Sequence, residues 1–250
     1  MIMNKQPSRQ RLRKSLLCIM FLLLPVVFNY VSPALIIMGA SEGILNGSAI
    51  VFITLFFSSL LVGRAFCGWV CPPGATQEVC RFANDTPARG GKGNWIKYGI
   101  WLIWMGIILA MAIRAGGYHA VNFLYMQPPS GISTMTVADY IRYYAIVGVI
   151  VAFTLLGGRR PMCHYFCWMA PFMIIGTAIK NAVKWPSLHL RANKDACINC
   201  KLCTKHCPMS LNVHEMAQTG SMKNAECILC GECVDNCPKQ VISYSFGTPQ

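Results

Sequence analysis

Twelve of the fourteen cysteines fall into four short strings. Two are long and alike: CINCKLCTKHCP, with Cys197, Cys200, Cys203, Cys207 and Pro208, and CILCGECVDNCP, with Cys227, Cys230, Cys233, Cys237 and Pro238. They start 30 residues apart, at 197 and 227. This is the run of a bacterial ferredoxin. Three thiolates separated by two residues each wrap one face of a [4Fe–4S] cluster, and the fourth, ahead of a proline, reaches across to the other cluster. The spacing therefore predicts one cluster on Cys197, Cys200, Cys203 and Cys237, and a second on Cys227, Cys230, Cys233 and Cys207. Zinc knuckles use four ligands in pairs, which two tandem runs closed by proline do not resemble. Such clusters pass single electrons at potentials spanning about −700 to +450 mV, so the spacing leaves the direction of flow open.

The other two strings are shorter: GRAFCGWVCPPGA, with Cys67 and Cys71, and GRRPMCHYFCWMAPF, with Cys163 and Cys167. A C-x3-C string sets two sulfurs on adjacent turns of one helical face. Two of them, brought together, offer four thiolates. We expect Cys67, Cys71, Cys163 and Cys167 to form a third redox site, either another Fe–S cluster or a pair of reversible disulfides. The plain alternative is buried structural cysteine, which is the reading for the isolated Cys18 and Cys80. His164, inside the second string, is a candidate to tune that site. His119 and Asp139 are candidates for handling quinol protons, against a simpler role as interfacial polar groups. Met162, Met169 and Met173 read as apolar packing rather than a copper site.

The elements that position these strings are membrane helices. The 250 residues are 54% hydrophobic and 12% charged, half the charge of an ordinary soluble domain. Four stretches of the length a bilayer needs lie at about Leu16–Met38, Ser48–Ala65, Trp95–Ile113 and Tyr140–Leu156, with Pro25, Asn29 and Pro33 kinking the first. The net charge is +13, but the basic residues flank apolar runs, which speaks for membrane topology and against nucleic acid. The N-terminal tail carries Lys5, Arg9, Arg11, Arg13 and Lys14, and of the 22 Lys and Arg only Arg114 and Arg142 fall in the opposite loops. By the positive-inside rule both termini lie on the cytoplasmic side of a cell inner (cytoplasmic) membrane crossed several times. The first span, too long for a signal h-region, reads as an uncleaved anchor. Each C-x3-C follows Gly-Arg at the end of a hairpin and precedes a short helix, at Ala75–Phe82 and Met169–Val183, so the membrane part is two parallel repeats. The expected fold is an α-helical polytopic membrane protein, with four transmembrane helices in two repeated hairpins over 1–183. A linker over 184–194 leads to a C-terminal α+β bacterial 2[4Fe–4S] ferredoxin domain over 195–250.

This pattern resembles the NapH-type membrane-bound 4Fe–4S ferredoxins, related to MauN and to the membrane halves of NosR and CcoG/RdxA proteins. The resemblance is carried by Cys67-Gly-Trp-Val-Cys71-Pro72 and the two ferredoxin runs. It implies a membrane-anchored electron-transfer subunit of an oxidoreductase, passing electrons between a membrane donor such as quinol and a partner redox protein. Two departures stand out. Trp168 rather than proline follows the second C-x3-C, and the flavin-binding region of NosR and the CcoG extension have no counterpart here, so those activities are not carried over. The competing class is an assembly or redox-sensing factor whose C-x3-C thiols reduce a metal or a disulfide in a client. That use requires accessible thiols of lowered pKa.

Overall fold

In the computed structural model, which describes residues 7–127 and 130–248, the chain begins as a helix, α1 (Ser8–Leu22). Lys5 of the basic tail lies outside the described residues. Proline lacks an N–H and disfavours helical backbone in the residue before it, and Pro25 and Pro33 divide the chain beyond α1. There is a single turn, α2 (Leu24–Val27), then a 3-10 turn (Phe28–Val31), then α3 (Pro33–Ser41). The chain bends by 62° between α1 and Leu24–Val31. The stretch expected as one kinked span is thus three pieces. Side chains from other elements take up the carbonyls that the breaks release, as an apolar medium demands. Thr134 donates to Pro25 at 3.0 Å, Ser133 to Val26 at 2.7 Å, Trp168 to Val31 at 3.1 Å and Trp104 to Pro33 at 3.2 Å.

A three-residue strand, β1 (Ile44–Asn46), leads into α4 (Gly47–Val62), whose first turn is capped by the Asn46 side chain accepting from the Ala49 N–H. At 1.5 Å per residue α4 is about 24 Å long. Short helices α5 (Ala65–Trp69) and α6 (Pro72–Cys80) follow, then α7 (Ile96–Arg114) and the strand β2 (Ala120–Asn122), which pairs in parallel with β1. Next come α8 (Val137–Gly157), α9 (Pro161–Tyr165) and α10 (Ala170–Ala182). Among the described residues, Gly93–Arg114 and Val137–Gly157 are long and apolar enough to cross a membrane, and the bent α1 pair makes a third if it is one span. Leu102, Ile103, Leu109 and Ile113 of α7, and Ile141, Val149 and Leu156 of α8, expose apolar side chains. Apolar surface of that extent marks lipid or a partner rather than water.

The duplication in sequence appears as a reciprocal exchange of helices. α10 packs along α4 of the first repeat, and α6 packs along α8 of the second. α10 lies close against α4 at Gly176, where a Cβ would collide with the Ser59 hydroxyl. Phe172, a turn earlier, stacks edge-on against Phe52, Trp101 and Trp104. This crossing places the two C-x3-C segments side by side.

β3 (Ser187–Ala192) runs antiparallel to β4 (Ile242–Gly247), from Ser187 opposite Gly247 to Ala192 opposite Ile242. Between them lie α11 (Leu202–Lys205), α12 (Val213–Thr219) and α13 (Glu232–Asp235). Residues 184–194, expected as a linker, therefore contain a strand of the C-terminal fold. The alternation of Leu188 and Leu190 with His189 and Arg191 is the strand signal within that segment. Gly176→Val should overpack the α4–α10 contact by about 1–3 kcal/mol, seen as a lower thermal midpoint of the detergent-solubilised protein. Gly106→Val, at a position open on α7, should leave the midpoint unchanged.

Candidate functional site

The two long cysteine runs follow the same backbone pattern, each with a short helix at matching positions. Each enters left-handed backbone three times, at Asn199, Lys201 and Ser210 in the first and at Leu229, Gly231 and Gln240 in the second, always 30 residues apart. Five of these six are not glycine, and left-handed backbone costs such residues roughly 1–2 kcal/mol each. A chain holds such strain where backbone amides must point at a bound group. The amide of Val241 donates to the Cys237 sulfur at 3.3 Å. Cys197, Cys200, Cys203 and Cys237 line one concavity, together with Lys201 and Lys239. Cys207, Cys227, Cys230 and Cys233 line another, walled by Met209, Met222 and Ile228. All fourteen thiols are free. Among the described residues no three His, Cys, Asp or Glu side chains close on a single metal ion. Each set of four instead borders a space, as a multinuclear cluster requires. Four thiols, strained loops and inward amides fit a [4Fe–4S] group.

The two sets differ in surroundings. Cys207, Cys230 and Cys233 are buried, whereas Cys200 is exposed and Cys197, Cys203 and Cys237 are half-buried. Burial pushes the thiols of Cys207 and Cys227 up to about 11 and that of Cys230 up to about 12. Sulfurs so placed carry charge only when a cation binds them.

Cys67, Cys71, Cys163 and Cys167 are all buried, and each lies within electrostatic reach of the others. The Gln77 amide donates to the Cys163 sulfur at 3.4 Å, and the Cys67 sulfur meets that of Met173 at 3.9 Å. Burial pushes the Cys71 thiol well up and that of Cys167 up to about 12. Two fully buried guanidiniums stand beside them. Arg160 donates to the Cys67 carbonyl at 2.6 Å. Arg64 faces Cys67 and Cys163, and its Nε and one Nη have no partner. His164 bonds Asn94 through Nδ1 and leaves a buried Nε2 unpartnered; desolvation pulls its pKa down to about 4. The orphaned buried donors of Arg64 fit an anionic group held between the thiols.

An ion-pair lattice ties this site to the second ferredoxin loop. Arg13, fully buried, donates to Glu78 of α6 at 2.9 Å, to Glu232 of the loop at 2.8 Å and to the Gly68 carbonyl at 3.4 Å. Arg160 and Arg81 also pair with Glu78, while Arg64 and Lys97 pair with Glu226. Burial opposes charge on Glu78, yet Arg160, Arg13 and Arg81 outweigh it and hold its carboxyl well below the usual range. Arg64 and Lys97 do the same for Glu226. Four buried cations (Arg13, Arg64, Lys97, Arg160) thus face three carboxylates (Glu78, Glu226, Glu232). Positive charge is therefore in excess, the more so because Arg81 also draws on Glu78. Between the partners the backbones touch. A Cβ on Gly68 would collide with the Ile228 carbonyl, and the Trp69 indole donates to Leu229 at 3.0 Å.

The structure thus gathers the twelve motif cysteines into three groups. Cys18 and Cys80 stand apart from all three, Cys18 exposed and Cys80 half-buried. Asp139 is consumed in a capping box with Thr136 and in a pair with Arg142. His119 packs against Gly43 in the loop beside β1. Sequence reasoning missed Arg13, Glu78, Glu226, Glu232, Gly68 and Trp69. The one available signal was scarcity, because a chain with nine acidic residues places four of them, Asp195, Glu226, Glu232 and Asp235, within or just ahead of the long cysteine runs.

Comparison with known proteins finds 4Fe-4S families on both halves of the chain. A family described as a 4Fe-4S dicluster domain matches residues 189–238, and one described as a 4Fe-4S binding domain matches 47–83 and again 141–179, each containing one C-x3-C. The chain is 24% identical to the putative electron transport protein YccM of Escherichia coli over 86% of its own length and 60% of that relative's. It is 28% identical to the uncharacterized protein MJ0750 of Methanocaldococcus jannaschii, over 84% of this chain and 82% of that one. It is 23% identical to the ferredoxin-type protein NapH of Haemophilus influenzae, over 80% and 68% respectively. No solved structure matches. Glu78→Gln should release three guanidiniums from their buried partner and destabilise the junction by about 3–5 kcal/mol. Hydrogen exchange should rise across residues 226–237 while β3 and β4 stay protected; unchanged exchange at 226–237 would show that the lattice does not hold the two halves together.

Proposed function

From the premise that this chain is a homologue of the ferredoxin-type 4Fe–4S electron-transport proteins, NapH, MauN, NosR and YccM among them, we propose that it carries electrons between a quinol in the bilayer and a redox protein in the cytoplasm. A [4Fe–4S] group supplies one-electron chemistry without bond making; the chain supplies ligands, order and insulation. Cys197, Cys200, Cys203 and Cys237 hold one cluster, and Cys207, Cys227, Cys230 and Cys233 the other. Cys67, Cys71, Cys163 and Cys167 hold a third. Its negative charge offsets the excess of buried cations and engages the orphaned donors of Arg64.

The observation that carries this reading is the contact of Gly68 and Trp69 with Ile228 and Leu229. It supports a third site next to the Cys207, Cys227, Cys230 and Cys233 set, with the more exposed set as the next step. The bent α1 segment, α4, α7 and α8 are the four spans, in the inner membrane with the ferredoxin domain on the cytoplasmic face. Supporting this, Arg9, Arg13, Arg64 and Lys97 all meet the ferredoxin domain. A cleft of about 500 Å³ between α1, α6 and that domain is bordered by the apolar Leu17, Cys18, Val79 and Phe82 and by the polar Lys14, Asp85 and His206. Such an amphipathic mouth suits a quinol headgroup.

The competing use of the C-x3-C thiols, as reductants for a client, requires accessible sulfurs of lowered pKa. Burial of all four and the raised thiols of Cys67, Cys71 and Cys167 speak against it. Iron analysis of the anaerobically purified holoprotein should give about twelve irons per chain, and about eight in Cys67→Ser, as three and two [4Fe–4S] groups require. Eight in both would remove the third cluster. Gly68→Val should keep the iron content yet slow quinol-driven reduction of the ferredoxin loops at least tenfold, read by stopped-flow absorbance; an unchanged rate would break the proposed order of sites.

A further inference from the structure

The two ferredoxin loops share one backbone and carry opposite charges. In the second loop, Glu226, Glu232 and Asp235 are the only charged residues between 226 and 237, and all three are acidic. Each is spent on a cation of the membrane half: Glu226 on Arg64 and Lys97, Glu232 on Arg13, and Asp235 on Arg9. The acidic loop is therefore docked, and its partner is basic. In the first loop the equivalent positions, 30 residues earlier, read Leu202 for Glu232 and Lys205 for Asp235, and Lys201 stands at the place of Gly231. Lys194 precedes this loop, and Lys239 follows the shared ligand Cys237. All four lysines are exposed, against Asp195 within the stretch and Glu215 on α12, next to the His214 that bonds Asn199 of this loop. Ile198, 54% exposed, is an apolar centre to this rim, beside the exposed Cys200.

The inner loop thus shows how this fold docks: through the charges on its cysteine turn, onto a surface of opposite sign. Resting on the electron-carrier reading, we propose that the outer loop docks in the same way with the sign reversed. Its partner is a soluble one-electron redox protein that presents an acidic face around its own centre. Ile198 meets the middle of that face, and Lys194, Lys201, Lys205 and Lys239 meet its rim. What passes there is a single electron, with no bond made or broken; one partner is oxidised by one electron as the other is reduced.

A second copy of this chain does not suit the site. Six of its nine acidic residues (Glu78, Asp85, Asp139, Glu226, Glu232 and Asp235) are already in ion pairs, and the remaining Glu42, Asp195 and Glu215 form no face. The anionic surface of the chain's own membrane does not suit it either. β3 leaves the end of α10 at Ser187, where Lys180 donates to Leu188. It then runs six residues, about 20 Å, before Lys194 and Lys201; Lys205, whose carbonyl accepts from Arg159 just beyond α8, is the rim residue nearest the helical half. Rim charges of this sort set association rate and salt dependence more than ultimate affinity.

The test is binding rather than turnover. Holoprotein in nanodiscs is titrated with an acidic flavodoxin and, separately, with a basic c-type cytochrome, by calorimetry at low and at 0.3 M salt. The expected result is that flavodoxin binds, that salt weakens it at least tenfold, and that cytochrome does not bind. In K201E/K205E/K239E flavodoxin binding should fall at least tenfold and cytochrome binding appear. K194E, which lies ahead of the cysteine run rather than between two ligands, should weaken flavodoxin in the same sense should the triple variant lose its cofactor. Flavodoxin binding that is absent, indifferent to salt, or unchanged in both variants would overturn the proposal. So would a salt-sensitive dimer seen by sedimentation, or a cytochrome preference in the unmutated protein. Iron content and EPR spectra of the same samples are read independently: missing clusters would sink the electron-carrier reading, while intact clusters without flavodoxin binding would sink only the docking face.

Discussion

Arg13 is the residue on which the two halves of this molecule hinge. A buried guanidinium is tolerated only where acceptors surround it, and Arg13 finds them on three separate segments: Glu78 after the first C-x3-C, Glu232 in the second ferredoxin loop, and the carbonyl of Gly68 between Cys67 and Cys71. Because it satisfies all three at once, the first helix, the membrane loops and the ferredoxin domain occupy one fixed arrangement. Glu78 and Glu226 extend that constraint through Arg160, Arg81, Arg64 and Lys97. The lattice is expensive to assemble without its full complement of charge, and it converges on the four buried thiols. The same electrostatics that hold the domain in place thus leave room for an anion between those thiols.

That constraint produces an asymmetry that the ferredoxin fold alone does not have. Its two loops are conformational copies, with left-handed residues at matching positions. One is buried against the membrane half and the other stands exposed. A symmetric cofactor carrier thereby acquires an inside and an outside. The helical half builds its own pseudo-symmetry by exchanging α6 and α10 between the repeats, which is how cysteines 96 residues apart in sequence, at 67 and 163, come to share one site.

Much of this was legible in the chain. The ferredoxin runs carry their chemistry in their spacing, since cluster ligation tolerates little variation. The Gly-Arg ahead of each C-x3-C betrayed the duplication. The longer apolar runs gave α7 and α8 almost to their ends. What escaped was set by long-range contact. Pro25 and Pro33 signalled a kink, but the division of 16–38 into three pieces depends on Ser133, Thr134, Trp104 and Trp168 being at hand to receive the freed carbonyls. The strand at 187–192 was obscured by its shortness and by Trp185-Pro186 just before it. Arg13 was counted as one of several topological charges in a basic tail, and nothing local distinguishes it from Arg11, which is exposed. Only the fold reveals which cation is buried.

The central claim is that the C-x3-C cysteines and the buried ferredoxin loop are adjacent redox sites. Pulsed EPR on the reduced holoprotein tests it most directly. The account predicts three paramagnetic centres, with relaxation of the buried ferredoxin signal enhanced by a third centre that disappears in Cys163→Ser while the exposed signal is unaltered. Two ferredoxin signals alone, identical in the parent and in Cys163→Ser, would contradict it.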